Sequence, residues 1–405
     1  MFFYIFLFVF LVKEIWELVL DVWNKNYATS PNAKIPEIFK DIITEEDFEK
    51  SKKYLIDRTN LGVISHIVDI ILSVVLIIWG YPYFEKLVSS LTSSYILQGL
   101  LFFGILGLIN LIISIPFDVY STFVIEEKYG FNTTTPKTFI TDIIKSILVA
   151  IILGVPLLSF LLWIIETDPN WWWKFALVVI VFEIFISWLY PMIIAPLFNK
   201  FYPLEDQELK EKILSLLEKA HFKISKVFVM DASRRTKRVN AYLTGIGNSR
   251  RVVLFDTILS YSHEEILAVL AHELGHNVKK HIPKIIILSS LFYTAYIYFV
   301  YFLYKSPLIS QAFSVEKNFT LIVYSFIFVS SIAYFISPII NAISRKFEYE
   351  ADRFSKELLG TPKPLISALK RLVKENLSNL NPLPLYRTWY YSHPAPEERI
   401  LALRG

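Results

Sequence analysis

The 405-residue sequence predicts an all-α membrane protein in which seven transmembrane helices carry a small α+β domain on the cytoplasmic side. Two observations lead to this fold class. Hydrophobic residues make up 54% of the chain and charged residues only 19%, whereas a soluble domain usually carries about a quarter charged residues. The chain also contains seven apolar stretches that approach the length of about 20 residues needed to cross a bilayer.

The predicted spans differ in strength along the chain. They cover approximately residues 1–22, 62–82, 96–118, 140–166, 175–198, 284–304 and 319–343. The first span is the weakest, because Lys13 and Glu14 interrupt it. A cleaved signal peptide is the alternative for this stretch, but the stretch lacks the basic amino-terminal region and the small-residue cleavage site of such a peptide. We therefore favour a membrane anchor.

The basic residues predict the orientation of these spans. With seven spans, the four polar segments on one side of the membrane hold 34 of the 41 lysine and arginine residues. Basic loops remain in the cytoplasm, so the amino terminus is predicted to lie outside and the polar mass inside. The sequence thus predicts a multi-pass integral membrane protein, in the cytoplasmic membrane of a prokaryote or the endoplasmic reticulum of a eukaryote.

This pattern divides the chain into four regions. They are the first five spans with their loops, a cytoplasmic α+β segment, the last two spans, and a helical carboxyl-terminal segment, over residues 1–198, 199–281, 282–343 and 344–405. In the second region an amphipathic helix is predicted over residues 206–221, where leucine and isoleucine recur at helical spacing. Two β-like runs follow at residues 226–230 and 251–255, and the Gly-containing stretch between them, up to Ser249, indicates a hairpin or loop.

The composition also limits the chemistry. The chain contains no cysteine, which excludes disulfides, thiolate ligands and cysteine nucleophiles, so a metal site must use His, Asp or Glu. The net charge is only +4 and the basic residues are dispersed, so we expect no nucleic-acid partner. A lipid bilayer is the partner that the apolar stretches predict.

A metal-binding pattern lies in the second region. Ser262 followed by Glu265 is typical of a capping box, and a helix is predicted from there to about His281. His272 and His276 are one helical turn apart on the same face, so both imidazoles can bind one zinc ion. Glu273 is rotated by about 100° from His272, which suits a carboxylate beside the attacking water rather than on the metal.

A catalytic zinc ion needs three protein ligands and an open position, so a third ligand is expected from another helix. Glu348 lies just past the seventh span, and Asp352 follows it by four residues on the same helical face. We predict that Glu348 binds the metal and that Asp352 holds a ligand histidine by its second nitrogen, whereas Glu350 points away. The alternative is that Glu348 and Asp352 are solvated and pair with nearby basic residues.

The combination of His-Glu-Leu-Gly-His at residues 272–276 with Phe-Glu-Tyr-Glu-Ala-Asp at residues 347–352 resembles the type I CaaX prenyl endopeptidases. Glu-Glu-Lys-Tyr-Gly-Phe-Asn at residues 126–132 and Tyr-Ser-His-Pro at residues 391–394 also resemble that family. The resemblance implies a gluzincin-type zinc metalloendopeptidase with one Zn²⁺ per chain, in which two histidines and a later glutamate bind the metal and seven spans enclose an internal chamber. This chain departs from the family pattern at Asn277 and Glu350, neither of which belongs to the predicted ligand set.

Further site residues are predicted with alternatives. Asn240, Ala241 and Tyr242 could lie on an edge strand that pairs with the backbone of a substrate, or on an ordinary buried strand. His393 resembles the family position thought to steady the oxyanion, although a lone histidine before proline is more often structural. His281 is off the ligand face, which favours a supporting or surface position.

These residues predict endoproteolysis in which Glu273 is the general base, and the resemblance implies a substrate with a prenylated carboxyl-terminal CaaX peptide or another membrane-associated segment. One alternative is a membrane-protein quality-control metalloprotease of the bacterial heat-shock class, which shares the two zinc motifs. A second alternative, a non-catalytic seven-helix receptor or scaffold, has no use for those motifs.

The spacing between motifs and spans predicts the depth of the site. The histidine helix and the Glu348 segment both continue into predicted spans, so the metal should lie close to the cytoplasmic boundary of the membrane. Irregular, lipid-exposed chain is not tolerated at that depth, so the site should be reached through a polar cavity. We expect an enclosed chamber between the spans, with Asp118 or Glu183 among the residues that face it.

Overall fold

The fold is described from a computed structural model, for residues 1–222, 224, 226–244 and 250–405. Long helices dominate the amino-terminal half. They are α1 (Phe2–Ala28), α2 (Glu45–Leu91), α3 (Tyr95–Glu126), α4 (Pro136–Thr167) and α5 (Trp172–Phe198). Each of α2, α3 and α5 contains a short wider turn within its length. Thr44 begins α2 with a capping box, in which its hydroxyl accepts a hydrogen bond from the Asp47 N–H.

The carboxyl-terminal half mixes short strands with helices. Its strands are β1 (Phe201–Pro203), β2 (Val227–Met230), β3 (Ala241–Thr244) and β4 (Arg251–Phe255). Its helices are α6 (Gln207–Lys219), α7 (His263–Val278), α8 (His281–Lys305), α9 (Leu308–Phe313), α10 (Asn318–Leu359), α11 (Lys363–Glu375), α12 (Pro384–Tyr390) and α13 (Pro396–Arg404).

In the described part of the chain, six helices are long and apolar enough to cross a membrane: α2, α3, α4, α5, α8 and α10. The first predicted span forms a 27-residue helix, α1, but it is not among the six. Lys13, Glu14 and Glu17 lie in the middle of α1, where Lys13 Nζ pairs with both carboxylates at 3.1 and 2.7 Å. These three charged residues explain why α1 is not among the six helices that are apolar enough to cross a membrane.

The small sheet has the order β1-β2-β4-β3. The two predicted β-like runs form β2 and β4, but they pair in parallel rather than as a hairpin. The segment between them contributes β3, which pairs antiparallel with β4, and β1 joins β2 on the other side. The stretch at residues 245–249, which the sequence predicts as part of a hairpin or loop, lies outside the described residues. Apolar side chains of β2, β3 and β4 pack with α6 and α7 in one core.

The structure corrects the predicted helix boundaries around the site. The histidine helix does not run on to His281, because Lys280 adopts a left-handed backbone conformation with φ +57° and separates α7 from α8. The Glu348 segment is continuous with the seventh predicted span, as expected from the sequence, because α10 runs from Asn318 through Glu348 to Leu359 as one long helix with a short tighter turn at Tyr334–Ile336. The predicted third-ligand segment is thus the end of a span.

Candidate metal centre

Two helices bring the predicted ligands together. His272 and His276 are four residues apart on α7, and Glu348 approaches them from α10. His272 Nε2 lies 3.2 Å from His276 Nε2 and 3.4 Å from Glu348 Oε2, and His276 Nε2 lies 3.3 Å from Glu348 Oε1. The three groups offer ligand atoms that are all within 4.8 Å of one another. The same three residues that the sequence predicts as ligands therefore converge.

The spacing of these atoms fits a zinc ion. Zinc binds histidine nitrogen and carboxylate oxygen at about 2.0–2.2 Å, so two ligand atoms of a tetrahedral site lie about 3.3 Å apart. The two histidine nitrogens, 3.2 Å apart, match that edge length, and Glu348 presents one carboxylate oxygen to each of them, at 3.4 and 3.3 Å. Glu348 Oε2 is buried and has no hydrogen bond among the described residues, and Arg399 Nη1 lies 3.9 Å from it, so a bound cation would supply the direct partner that the oxygen lacks. The donor set thus suits a divalent metal.

His272 is held from behind by a buried carboxylate. Its Nδ1 lies 2.8 Å from Asp352 Oδ1, so the Nδ1–H donates to the carboxylate and Nε2 keeps its lone pair for a metal. Arg399 of α13 donates to both oxygens of Asp352, at 2.8 and 2.6 Å, and places a guanidinium nitrogen 3.2 Å from the His272 ring. The Asp352 carboxylate is therefore neutralised in the protein interior.

His276 has its own supporting group. Its Nδ1 lies 3.1 Å from Nδ1 of His281, the first residue of α8. His281 is fully buried, stacks on the Phe347 ring with centroids 4.4 Å apart, and places Nε2 3.0 Å from Glu350 Oε2. Glu350 thus points away from the ligand face, as the helical spacing predicts, and contacts His281 instead.

Glu273 lies beside this cluster on α7. It is partly buried, and its burial raises the pKa of the carboxyl above the ordinary value near 4.5, although His272 and His276 act in the opposite direction. A carboxylate with a raised pKa accepts a proton more readily. The position and the pKa shift both suit a proton acceptor next to a metal ligand.

His393 reaches the site from the turn between α12 and α13. Its Nε2 lies 3.3 Å from Glu348 Oε1, and its Nδ1 lies 3.0 Å from the Ser392 hydroxyl. Partial desolvation by the surrounding protein lowers the pKa of His393 below the ordinary value near 6.5, although the Glu348 carboxylate acts in the opposite direction. The side chain is nevertheless 65% exposed, so it lies at the rim of the ligand cluster, where a substrate can contact it.

Ala241 and Tyr242 begin β3, at one edge of the sheet, and Asn240 directly precedes the strand. This is the position in the sheet that pairing with a substrate backbone requires, although Ala241 itself is buried. Ala241 packs in the same core as Leu270 of α7, so the strand runs beside the histidine helix. In the described part of the chain no strand pairs with the outer edge of β3.

A second group of potential ligands lies between α1 and α2. His66 Nε2 lies 2.6 Å from Glu14 and 3.5 Å from Glu17. Lys13 pairs with both carboxylates at 3.1 and 2.7 Å, so a protein cation already occupies the position beside them. We therefore assign no metal to this group.

Comparisons with known proteins agree with this geometry. The family model described as CAAX prenyl protease N-terminal, five membrane helices, matches residues 25–200, and the model of peptidase family M48 matches residues 203–405. The chain belongs to peptidase family M48. With its apolar helices, it is a multi-pass membrane metalloendopeptidase.

Full-length relatives support the same assignment. CAAX prenyl protease 1 of Saccharomyces cerevisiae is 36% identical, over 94% of this chain and 90% of the relative. A human CAAX prenyl protease 1 homolog is 32% identical, over 96% of this chain and 92% of the relative. The crystal structure of S. mikatae Ste24p has a TM-score of 0.93 and 33% identity, and the match covers 100% of this chain and 99% of that chain. The comparisons favour neither the heat-shock class of protease nor a non-catalytic receptor or scaffold.

The sequence does not identify Arg399, and it leaves the position of His281 open. Arg399 lies near the carboxyl terminus in Pro-Glu-Glu-Arg, where no spacing relates it to the two zinc motifs. One physical argument predicts that a partner of this type exists, because a buried carboxylate such as Asp352 requires a cation. That argument gives the type of partner but not its position in the chain.

Proposed function

We propose that this M48 protease binds one zinc ion per chain through His272, His276 and Glu348, and that it cleaves peptide bonds near the carboxyl terminus of CaaX-type substrates. The convergence of these three side chains, whose ligand atoms all lie within 4.8 Å of one another, carries the proposal. Asp352 is the group that orients His272. Bound zinc supplies Lewis acidity towards a peptide carbonyl and a water molecule.

The protein's own groups perform the proton transfers. Glu273 takes a proton from the attacking water, which its raised pKa favours, and passes it to the nitrogen of the leaving amine. In the tautomer with the proton on Nε2, His393 Nδ1 accepts a hydrogen bond from the Ser392 hydroxyl. From the rim of the site this N–H donates to the oxygen on which negative charge develops.

The substrate segment lies along β3 in this proposal. An extended peptide can add to the free edge of a sheet through backbone hydrogen bonds, and alternate side chains then point to pockets. Asn240, Ala241 and Tyr242 begin that edge, and a cavity of about 590 Å³ borders Asn240 and Tyr242 and the end of α5. The names of the relatives indicate a prenylated CaaX peptide or protein as the occupant.

We place the active site on the cytoplasmic side of the membrane, as the basic residues of the polar segments indicate. We also count α1 as a seventh span, because 27 residues of helix are about 40 Å long and the hydrocarbon slab is about 30 Å thick. The most apolar windows of α2 and α3 are only 6% buried within the protein. Such loose packing supports spans that surround an open chamber rather than a compact bundle.

The test uses the purified chain with two substrates, a farnesylated CaaX peptide and an unprenylated unfolded membrane protein, and reads the products by mass. We expect the farnesylated peptide to be cleaved near its carboxyl terminus, and Glu273→Gln to abolish this cleavage while the zinc remains. The matched control is Glu357→Gln, an exposed carboxylate on α10, which should cleave like the parent. Cleavage of the unfolded protein alone would contradict the CaaX assignment and favour quality control.

A further inference from the structure

The contacts behind His276 form a chain of three side chains that the ligand set does not include. His276 Nε2 faces the other two ligands, whereas its Nδ1 faces His281 Nδ1 at 3.1 Å. On the far side of the His281 ring, Nε2 lies 3.0 Å from Glu350 Oε2. The two rings are nearly perpendicular, at 77°, and His281 has no exposed surface.

With His281 neutral and Glu350 ionised, one placement of protons satisfies this chain. An ionised carboxylate only accepts hydrogen bonds, so His281 Nε2 must carry the proton that Glu350 receives. A neutral imidazole carries one proton, so His281 Nδ1 is an acceptor. His276 must then donate from Nδ1, which leaves a lone pair on Nε2, the atom that faces His272 and Glu348.

We propose that His281 and Glu350 are positioning residues that fix the tautomer and ring orientation of His276 for metal binding. This inference rests on the proposed zinc site. Each ligand histidine then has its own carboxylate: Asp352 holds His272 directly, and Glu350 holds His276 through His281.

Packing keeps the His281 ring in place for this role. The ring stacks on Phe347 at an interplanar angle of 10°, and the Lys284 ammonium lies over the Phe347 ring, 5.5 Å from its centroid. Phe347 directly precedes Glu348 on α10. The same turn of α10 therefore supplies a ligand, the surface that holds His281, and the carboxylate that orients it.

The experiment measures zinc affinity of the full-length chain in detergent by competition with a chromophoric chelator. His281→Phe keeps a flat ring against Phe347 but removes both nitrogens, and Glu350→Ala removes the acceptor. We expect each to weaken zinc binding, His281→Phe by about 10–100-fold, as for other groups that orient metal ligands. Glu350→Gln should bind zinc almost as the parent does, because its amide oxygen still accepts from His281.

A double variant tests whether Glu350 acts on zinc binding through His281 or whether the two residues act independently. If Glu350 acts through His281, then His281→Phe with Glu350→Ala binds zinc no more weakly than His281→Phe alone. The visible spectrum of the Co²⁺-substituted protein should also shift in both single variants and not in the Glu357→Ala control. Should His281→Phe fail to fold, the Glu350→Ala and Glu350→Gln pair still decides the question.

Two outcomes overturn the inference: unchanged zinc affinity in His281→Phe and Glu350→Ala, or additive losses in the double variant. Failure of the proposed function looks different, because the parent chain itself would then bind no zinc. If the parent binds zinc and the variants bind it equally well, the proposed metal site stands, and only the positioning role of His281 and Glu350 is disproved.

Discussion

Gly275 on α7 lies so close to Ala351 on α10 that a Cβ atom at residue 275 would be 2.9 Å from the Ala351 Cα and 3.1 Å from its carbonyl oxygen. Both atoms belong to the backbone, so they cannot move aside as a flexible side chain can. This contact lies between the two ligand histidines on one helix and next to Glu348 and Asp352 on the other. The glycine thus sets the distance between the two halves of the metal site.

Gly275→Ala is therefore expected to push α7 and α10 apart. Overpacking of this kind typically costs about 1–3 kcal/mol, and the displaced Glu348 should also weaken zinc binding. The thermal midpoint and the zinc affinity of the purified variant measure both effects. Gly104→Ala is the matched control, because a Cβ there meets nothing within 4 Å. Equal stability and affinity in the two variants would show that the helix contact does not position the ligands.

Metal binding and proton transfer should separate by mutation. His272→Ala or His276→Ala removes one of three ligands and is expected to abolish stoichiometric zinc binding, whereas Glu273→Ala should retain the zinc and lose turnover. Metal analysis after dialysis, combined with cleavage of the CaaX peptide, measures both properties. A Glu273→Ala protein that carries zinc and cleaves at the parental rate would disprove the role of Glu273 as the base.

Glu348 and Glu350 should differ in what they do for the metal. Glu348→Ala is expected to lose the zinc on dialysis, because Glu348 lies 3.3–3.4 Å from both ligand nitrogens. Glu350→Ala should still bind one zinc ion when zinc is in excess, because Glu350 contacts only His281. Metal content at saturating and limiting zinc distinguishes the two variants. If Glu350→Ala lost its zinc and Glu348→Ala kept it, the assignment of Glu348 as the third ligand would be wrong.

The helical period predicts most of this site from sequence, because the groups concerned lie on two helices. Spacings of four residues place His272 with His276 and Glu348 with Asp352, and the same geometry directs Glu350 elsewhere. The supporting groups do not follow from such spacing. His281 reaches His276 only because the left-handed Lys280 breaks the helix, and Arg399 reaches Asp352 only through the packing of α13. Both contacts depend on tertiary structure, which no local pattern encodes.

Substitution of either Asp352 or Arg399, which form a buried ion pair, should impair the protein: loss of Asp352 should weaken zinc binding, and loss of Arg399 should lower stability. Asp352→Ala is expected to weaken zinc affinity or activity by about 10–100-fold, because His272 loses the acceptor that orients it. Arg399→Leu leaves the Asp352 carboxylate buried without its cation, which typically costs about 3–5 kcal/mol. Zinc competition and thermal unfolding measure these effects, and Arg353→Leu, at an exposed position on α10, is the control. If Asp352→Ala bound zinc with the affinity of the parent, Asp352 would not be the group that orients His272.

The remaining prediction concerns water within the membrane region. Because the chain contains no cysteine, a single introduced cysteine can be labelled alone. Glu183 on α5 accepts a hydrogen bond from Ser289 on α8, at 3.0 Å, whereas Val181 is an exposed apolar residue nearly on the opposite face of the same helix. A chamber beside α5 should let a charged, water-soluble maleimide react with Glu183→Cys, and lipid should protect Val181→Cys, because the reactive thiolate does not form in hydrocarbon.

Asp118→Cys on α3 provides a second position for this test, since the Asp118 side chain is exposed within an apolar span. An isolated charge in contact with lipid is costly, so Asp118 is expected to face water or the protein interior. The label should be added to protein in liposomes, and the same variants in detergent, after unfolding, give the maximum reaction. If neither Glu183→Cys nor Asp118→Cys reacts in liposomes, the spans form a sealed bundle, and the substrate must reach the zinc from the cytoplasmic surface alone.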